Sequence, residues 1–466
     1  MSDLPHEQSE AEVAAREAEE HYGLPDHVIY AVGDLLEEGK TDEVRALVSD
    51  LHEADTADLL ESLGGEERQQ LVDILGPDLK PDVLAYLDAS VREEVIEHLG
   101  PQRLVRLLSA LDSDDAVEVF EGLEEDFQHR ILAALPQAYR HVLEESLTFP
   151  EDSAGRIMQR ELVVVPSAWT IGETIDYLRA VDDLPDLFYD LYVVNPKHHP
   201  IGYIPLSRAM GTRRPVRLTE IMETDMKVVP LTMDQEDVAY LFRQYGLASA
   251  PVIDEAGRLV GQITVDDIVQ IISDEAQEDI MKLAGVGEAD LYSAMLDTTK
   301  HRFPWLVVNL GTAILASVVI GFFEVTISQI VALAVLMPIV ASMGGNAGTQ
   351  TLTVAVRAIA TKDLTQATAA RFIGKELIVG LVNGLLFAVL TGLVAWVWFG
   401  SPQLGLVIAA AMVVNMLVAG LFGALIPLGL ERMNVDPAIA SSVFLTTVTD
   451  VIGFFAFLGL AAVFLL

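Results

Sequence analysis

Cysteine is absent from the chain of 466 residues, which excludes disulfides and every thiolate metal site. Histidine does not occur beyond His301, so the C-terminal segment has no imidazole ligand to offer. Basic residues are scarce: 29 Lys and Arg stand against 69 Asp and Glu, a formal net charge of −40. Such an excess of carboxylates repels phosphates and argues against a nucleic-acid partner. No Gly-x-x-x-x-Gly-Lys-Ser/Thr string and no His-Glu-x-x-His string occurs, and the aspartate-phosphorylation loop of ion pumps is missing. The chain is therefore expected not to be an enzyme. Its first 25 residues are charged and hold no apolar run, so no cleavable signal peptide is expected and the N-terminal half should stay in the cytoplasm.

Hydrophobic residues nevertheless make up 51 % of the sequence. One globular body would not normally combine that fraction with −40, and the charge proves to be segregated. Residues 301–466 contain six acids and six bases, leaving 63 acids and 23 bases in residues 1–300. A soluble acidic half is joined to a neutral, apolar one. The acidity suits collecting cations, but solubility or a saline habitat would favour it too.

Residues 21–150 read as a ladder of short amphipathic helices with acidic outer faces, after a flexible 1–20. Val44–Leu51, Thr56–Leu63, Arg68–Leu75, Pro81–Leu87, Ser90–Leu99 and Arg103–Leu111 each place Leu, Val or Ile at helical spacing. Gly64-Gly65, Gly76-Pro77 and Gly100-Pro101 punctuate them. Small helices must share a core with their neighbours, so a superhelical, regulatory N domain is expected. Residues 157–272 then repeat internally. Ile157-Met158, Val164-Val165-Pro166 and Arg179 recur 64 residues later as Ile221-Met222, Val228-Val229-Pro230 and Arg243. Val193 and Gly202 recur 59 residues later as Val252 and Gly261, because the first copy has extra residues around Asp182–Asp190. Each copy reads strand, helix, strand, turn, strand, helix. With its Leu259-Val260-Gly261-Gln262-Ile263-Thr264-Val265-Asp266-Asp267 string, the pattern resembles a tandem pair of α+β CBS domains, which usually sense ligands and seldom catalyse.

An acidic amphipathic stretch over about 264–300 follows, read as a connecting helix at 273–302. Ile268, Ile271, Ile272, Ile280, Met281 and Leu283 share one face; Asp266, Asp267, Asp274, Glu275, Glu278 and Asp279 occupy the others. From 303 the chain is an all-α membrane domain with five expected spans, about 304–323, 327–357, 369–399, 403–430 and 437–465. Lys300 and Arg302 precede the first; Arg357, Lys362, Arg371 and Lys375 surround the second connection; the first and third connections have no base. Positive loops stay inside. The N-terminus is thus expected in the cytoplasm and the C-terminus outside a cell membrane crossed several times.

Two strings in this apolar half carry chemistry. Ser442, Thr446 and Asp450 make a polar stripe on the last span, and Asp450 has no base at its depth. The alternative is a structural carboxylate bonded to Thr447 or Thr449. On the second span, Ser342-Met343-Gly344-Gly345-Asn346-Ala347-Gly348-Thr349-Gln350 combines small residues with an amide stripe. Small residues allow close helix packing and can also leave carbonyls facing a lumen. Together they point to a hydrated path lined by Gly344, Gly345, Asn346 and Thr446. Carboxylate, amide, hydroxyl and carbonyl oxygens suit a hard divalent ion, most of all Mg²⁺, which keeps its waters. They do not separate Mg²⁺ from Mn²⁺, Co²⁺ or Ca²⁺. One Asp cannot balance a doubly charged ion and two can, which favours a homodimer with the path on its axis. A membrane sensor that docks partners without transport is the rival, and it leaves Asp450 without a purpose.

The order of segments, with Pro150-Glu151-Asp152-Ser153-Ala154-Gly155-Arg156, Met343-Gly344-Gly345-Asn346-Ala347-Gly348 and Thr446-Thr447-Val448-Thr449-Asp450, resembles the MgtE family of magnesium channels over nearly the whole chain. The resemblance implies a homodimeric Mg²⁺ channel closed by cytosolic Mg²⁺, with the connecting helix as a plug. It implies that Asp450 holds hydrated Mg²⁺ in the pore and that Asp436 and Glu376 recruit the ion at the cytoplasmic mouth. It places regulatory Mg²⁺ at Asp114, Glu118, Asp267, Glu275, Glu278 and Asp279, and in some members ATP at the CBS pair.

Overall fold

Glycine, proline and acidic caps cut the N-terminal region into short helices: α1 (Asp26–Glu37), α2 (Thr41–Ser49), α3 (Glu53–Ser62), α4 (Gly65–Leu75), α5 (Val83–Tyr86), α6 (Ala89–Leu108), α7 (Ser113–Glu121), α8 (Glu125–Ala134) and α9 (Gln137–Ser146). The computed structural model describes residues 23–181, 184–185, 187–286, 295–433 and 435–466. Helix starts fall ahead of the apolar runs because caps set them. The Glu67 carboxylate accepts from the Gly64 amide at 3.1 Å, and Asp88 Oδ1 accepts from Ser90 N at 3.1 Å. The two helices expected at 90–99 and 103–111 form α6, broken at Gly100 (φ 71°) just before Pro101. Left-handed φ admits glycine there, and proline ends the previous turn. Val44, Leu59, Leu71, Val83, Val95, Leu104, Val117 and Ile131 from successive helices enter one shared core.

The repeat forms two like sheets. β1 (Val164–Pro166) runs parallel to β2 (Asp190–Val194), which pairs antiparallel with β3 (Pro200–Pro205). β4 (Val229–Pro230), β5 (Ser249–Ile253) and β6 (Leu259–Thr264) repeat that order. Helices α10 (Ile171–Ala180) and α11 (Leu206–Gly211) belong to the first copy; α12 (Leu218–Ile221), α13 (Gln235–Tyr245) and α14 (Val265–Ala284) belong to the second. The repeated residues Val193 and Gly202 are cross-strand partners, and so are Val252 and Gly261.

The copies interlock. Gln159, at the head of the first copy, bridges to Gln262 on β6 of the second, while Glu223, at the head of the second, bridges to Tyr203 on β3 of the first. A Cβ on Gly261 would lie 2.9 Å from the Gln159 carbonyl oxygen and from Met158 Sδ; one on Gly202 would lie 2.7 Å from the Glu223 carbonyl oxygen and 3.0 Å from Met222 Sδ. Each repeated glycine therefore exists to let the other copy's Met-led segment lie against the sheet. Between the sheets, the Tyr192 hydroxyl and Ser249 Oγ stand 2.6 Å apart, and Ser249 Oγ donates to Asp190 at 2.7 Å. All three side chains are buried.

These elements form one unit, Met1–Ile271, and the rest of the chain, Ile272–Leu466, forms another. Helix α14 is continuous from one to the other, with no break at the boundary of 273 expected for the connecting helix. The second unit contains α15 (Met295–Gly321), the short α16 (Glu324–Gln329), α17 (Ala332–Ala360), α18 (Gln366–Phe399), α19 (Pro402–Arg432) and α20 (Pro437–Phe464). Among the described residues five helices are long and apolar enough to cross a membrane: Thr298–Gly321, Ala332–Ala360, Ala367–Phe399, Pro402–Arg432 and Ser442–Phe464. The last and shortest, 23 residues, covers about 34 Å at 1.5 Å rise per residue. That exceeds the ~30 Å of hydrocarbon in a bilayer. Helix α19 is the centre of the bundle and packs against α17, α18 and α20. Glycines make the closest crossing: a Cβ on Gly405 of α19 would come 2.6 Å from the Gly392 carbonyl oxygen of α18. Leu, Val and Trp on α15 and α18, among them Leu306, Val382, Leu386, Val389 and Trp398, stay exposed, as a lipid-facing surface requires.

Candidate cation path and acidic clusters

In the membrane unit, helix α20 places Ser442, Thr446 and Asp450 on one stripe. Thr446 is exposed, and Ser442 and Asp450 are half-buried. The structural alternative for Asp450 fails here. Thr447 Oγ1 donates to the Val443 carbonyl at 2.7 Å, and Thr449 Oγ1 to the Leu445 and Thr446 carbonyls at 3.1 Å. The hydroxyls bond their own helix. Among the described residues Asp450 has no hydrogen-bond or ionic partner.

On α17, Ser342, Asn346, Thr349, Gln350 and Thr353 are all exposed. Gly345 faces open space, whereas Gly344 does not: a Cβ there would meet the Asn415 carboxamide at 2.2 Å. Gly348 is likewise turned inward, against Leu445. Of the four residues expected to line a path, Gly345, Asn346 and Thr446 have open surroundings and Gly344 is packed inside the bundle. Exposed amide and hydroxyl groups along membrane-spanning helices are costly against lipid and must be covered by protein or water.

Glu376 on α18 is buried, 8 % exposed, and accepts from Thr351 Oγ1 at 3.0 Å, with Lys375 Nζ at 3.7 Å. Asp436 caps α20, accepting from Ala438 N at 2.8 Å. Its other oxygen accepts from Lys282 Nζ at 2.8 Å, and Lys282 also pairs with Glu278. Asp279 stands in the same group: burial first, and Asp436 second, raise its carboxyl. Burial works against charge on Lys282, but its bonds to Asp436 and Glu278 outweigh that and raise it. Three of the expected acids, Asp436, Glu278 and Asp279, thus gather around one ammonium. Glu376 lies on another helix, against Thr351.

A second acidic group joins the N domain to the CBS pair. Helix α7 brings Asp114 and Asp115 against Asp267 at the head of α14. Asp267 accepts from Thr264 Oγ1 at 2.6 Å. Burial, then Asp267 and Asp115, push the Asp114 carboxyl well up, and one of its oxygens is buried without a donor. Burial, then Asp267, Glu118 and Asp112, push Asp115 up to about 7. Asp267 is pushed up to about 6, chiefly by burial, with Thr264 acting against the shift. Glu118 acts on Asp115 from the more exposed side of the group, its carboxylate held by Arg92 at 2.7 Å. The interface is tied beside this cluster by Ser113 donating to Glu161 at 2.7 Å, Gln159 to Asp112 at 2.9 Å, and the Arg160–Glu145 pair at 3.1 Å. Among the described residues no three carboxylate or imidazole groups converge into a preformed cage for a bare ion. A cation that keeps part of its hydration shell needs no such cage. Under-neutralised acids and an orphaned Asp114 oxygen supply the charge and a free acceptor.

Sequence reasoning passed over Asp112 and Asp115 as partners of Asp114, although they share its acidic run. It also passed over Lys282, the single base between Arg258 and Lys300, and Asn415, the single polar side chain in the interior of α19. In both cases isolation in an otherwise uniform stretch was the available signal.

Comparison with known proteins places these units. Residues 337–460 match the MgtE divalent cation transporter family, residues 51–152 the MgtE intracellular N domain, and residues 218–274 the CBS domain. A five-helix membrane unit of that kind behind an N domain and a CBS module defines a multi-pass membrane transporter of divalent cations. The magnesium transporter MgtE of Thermus thermophilus is 35 % identical over 330 residues, 70 % of this chain and 73 % of that one. That of Bacillus subtilis is 31 % identical over 320 residues, 68 % and 71 % respectively. The chain belongs to the MgtE family. A crystal structure of the cytosolic domain of the Mg²⁺ channel MgtE in complex with ATP is also similar, at 30 % identity and a TM-score of 0.49. It covers 52 % of this chain and 99 % of that one.

Proposed function

We propose that the chain is a Mg²⁺ channel of the cell membrane, active as a homodimer. In this reading Asp450 holds the hydrated ion in the path, and cytosolic Mg²⁺ closes the channel by binding the acidic clusters. The observation that carries the proposal is Asp450 itself: a carboxylate on a membrane-spanning helix, without a partner among the described residues, on a stripe whose Thr446 is open. An uncompensated carboxylate at that depth is retained for a cation. A second copy, contributing a second Asp450, would balance the doubly charged ion and cover the exposed stripe of α17. Positive connections keep the N-terminus inside and put the C-terminus outside.

Gating follows from repulsion. Asp114, Asp115 and Asp267 crowd at one interface, and Glu278, Asp279 and Asp436 at the other group, so each arrangement gains from a bound cation. Mg²⁺ binds the closed arrangement better than an open one and shifts the population towards it. Each such site contributes roughly 1–3 kcal/mol of coupling, so a few together make a steep response.

The test is Mg²⁺ flux into liposomes carrying the full-length protein, wild type against Asp450→Asn. Flux in the wild type and none in the variant is expected. Equal flux in both removes Asp450 from the path; no flux in the wild type at low cytosolic-side Mg²⁺ favours the docking sensor. ATP at the CBS pair is tested separately by calorimetry on the full-length protein, where absence of heat removes it.

A further inference from the structure

Asn415 is wholly buried, 0 % exposed, in the middle of α19. Its Nδ2 donates to the Val340 carbonyl oxygen of α17 at 2.7 Å. Its Oδ1 is buried and accepts from none of the described residues. A half-satisfied amide inside an apolar bundle costs stability that a leucine or methionine would not, so packing alone does not account for it. Its surroundings are built for it. A Cβ on Gly344 of α17 would lie 2.2 Å from the carboxamide, and one on Gly453 of α20 would lie 3.0 Å from it. The two glycines cut a notch, and the amide fills it. The notch joins the two helices whose open faces carry the polar stripes. Gly344 is two residues before Asn346, and Gly453 is three residues after Asp450.

We propose that Asn415 is a positioning residue for the permeation path, its carboxamide holding α17 and α20 at the spacing and rotation at which Asn346 and Asp450 address one passage. The inference rests on the reading of Asp450 given above. Asn415 acts through the two helices, and the unsatisfied Oδ1 is the cost of seating an amide where three helices meet.

The experiment pairs Mg²⁺ flux over a concentration series with thermal unfolding of the full-length protein in detergent. Asn415→Leu keeps the approximate volume and removes the amide. It is expected to retain the folded protein, to lose about tenfold or more of maximal flux, and to shift the half-saturating Mg²⁺ concentration, as supporting residues around metal sites do. Flux equal to wild type, or a loss no greater than the loss of folded protein, overturns the inference. A second pair separates the amide from mere space. Gly453→Ala alone pushes a methyl group against the carboxamide, and adding Asn415→Ala makes room for it. The double variant is expected to recover its thermal midpoint and still conduct poorly; recovery of flux along with the fold overturns the inference. Flux lost in Asp450→Asn but intact in Asn415→Leu defeats this inference alone, whereas flux intact in Asp450→Asn defeats the path reading beneath it.

Discussion

Gly261 and Gly345 are both glycines in a motif, yet they answer to different constraints. A methyl group on Gly261 would press on the Gln159 carbonyl and Met158 Sδ at 2.9 Å, and neither the bridged backbone nor the buried thioether has room to yield. Gly261→Ala should therefore destabilise by about 1–3 kcal/mol, as overpacking does. Gly345 meets nothing within 4 Å, and alanine there favours the helix, so its variant should be neutral or slightly stabilising. Thermal unfolding of the two full-length variants checks the contrast; equal midpoints would show that the interlock tolerates a side chain. Asp450 was legible in the sequence because a lone acid in an apolar run is conspicuous. Whether Thr447 and Thr449 satisfied it was not legible, because a threonine on a helix can turn its hydroxyl either to a neighbour or to its own backbone. The inward turn of Gly344 was equally hidden, since adjacent glycines read alike until a neighbouring helix distinguishes them.

Helix α14 shows what periodicity can and cannot say about an element. The apolar face of Ile268, Ile271 and Ile272 and the acidic opposite face are plain in the sequence. The run read over about 264–300 is one helix from Val265 to Ala284, and where along it one domain hands over to the next is not plain, because an amphipathic pattern carries no mark of that. Residues 287–294 of the expected connecting helix lie outside the described residues. Lys282 on this helix changes the meaning of its acids. Its ammonium already neutralises part of the Glu278, Asp279 and Asp436 group, so a divalent ion binding there must displace it. Lys282→Met should let Mg²⁺ act at a concentration about five- to tenfold lower, on the scale of ordinary coupling energies. It should also raise the flux at very low cytosolic-side Mg²⁺, since the acids are then left to repel one another. Mg²⁺-dependent protection of full-length protein from proteolysis, with flux measured in parallel, checks both; an unchanged Mg²⁺ dependence would show that the ammonium and the ion do not compete.

For the whole molecule, the segregation of charge was the clearest message of the sequence. The helical N domain, the paired sheets and the five spans all followed from composition and period. What composition could not supply was which of the 63 acids of the soluble half face one another, because that depends on how α7 docks on the head of α14. The docking makes a pH prediction. Asp115, at about 7, and Asp267, at about 6, both sit above the ordinary carboxylate value of ~4. The folded state therefore binds more protons than the unfolded one. Their contribution to stability is fully present below about pH 4 and is lost as pH rises through 6 and 7. In chelator, the thermal midpoint of the full-length protein should fall between pH 5 and pH 8, and Mg²⁺ should restore most of the loss at pH 8. A metal-free protein that is more stable at pH 8 than at pH 5 would contradict the assignment.

The crossed bridges of the repeat carry a consequence for synthesis on the ribosome. The sheet of the first copy is finished by Glu223 and the sheet of the second by Gln159, so neither copy completes itself as it emerges. The earlier one must wait, with Gly202 uncovered, until the head of its successor has left the exit tunnel, and the pair closes only when Gln262 is free. Such long-range closure is slow compared with helix formation. The acidic ladder of helices can fold at once; the paired sheets lock late. They lock roughly as the first apolar span is being made, so the acidic half is finished at about the moment the nascent chain is handed to the membrane.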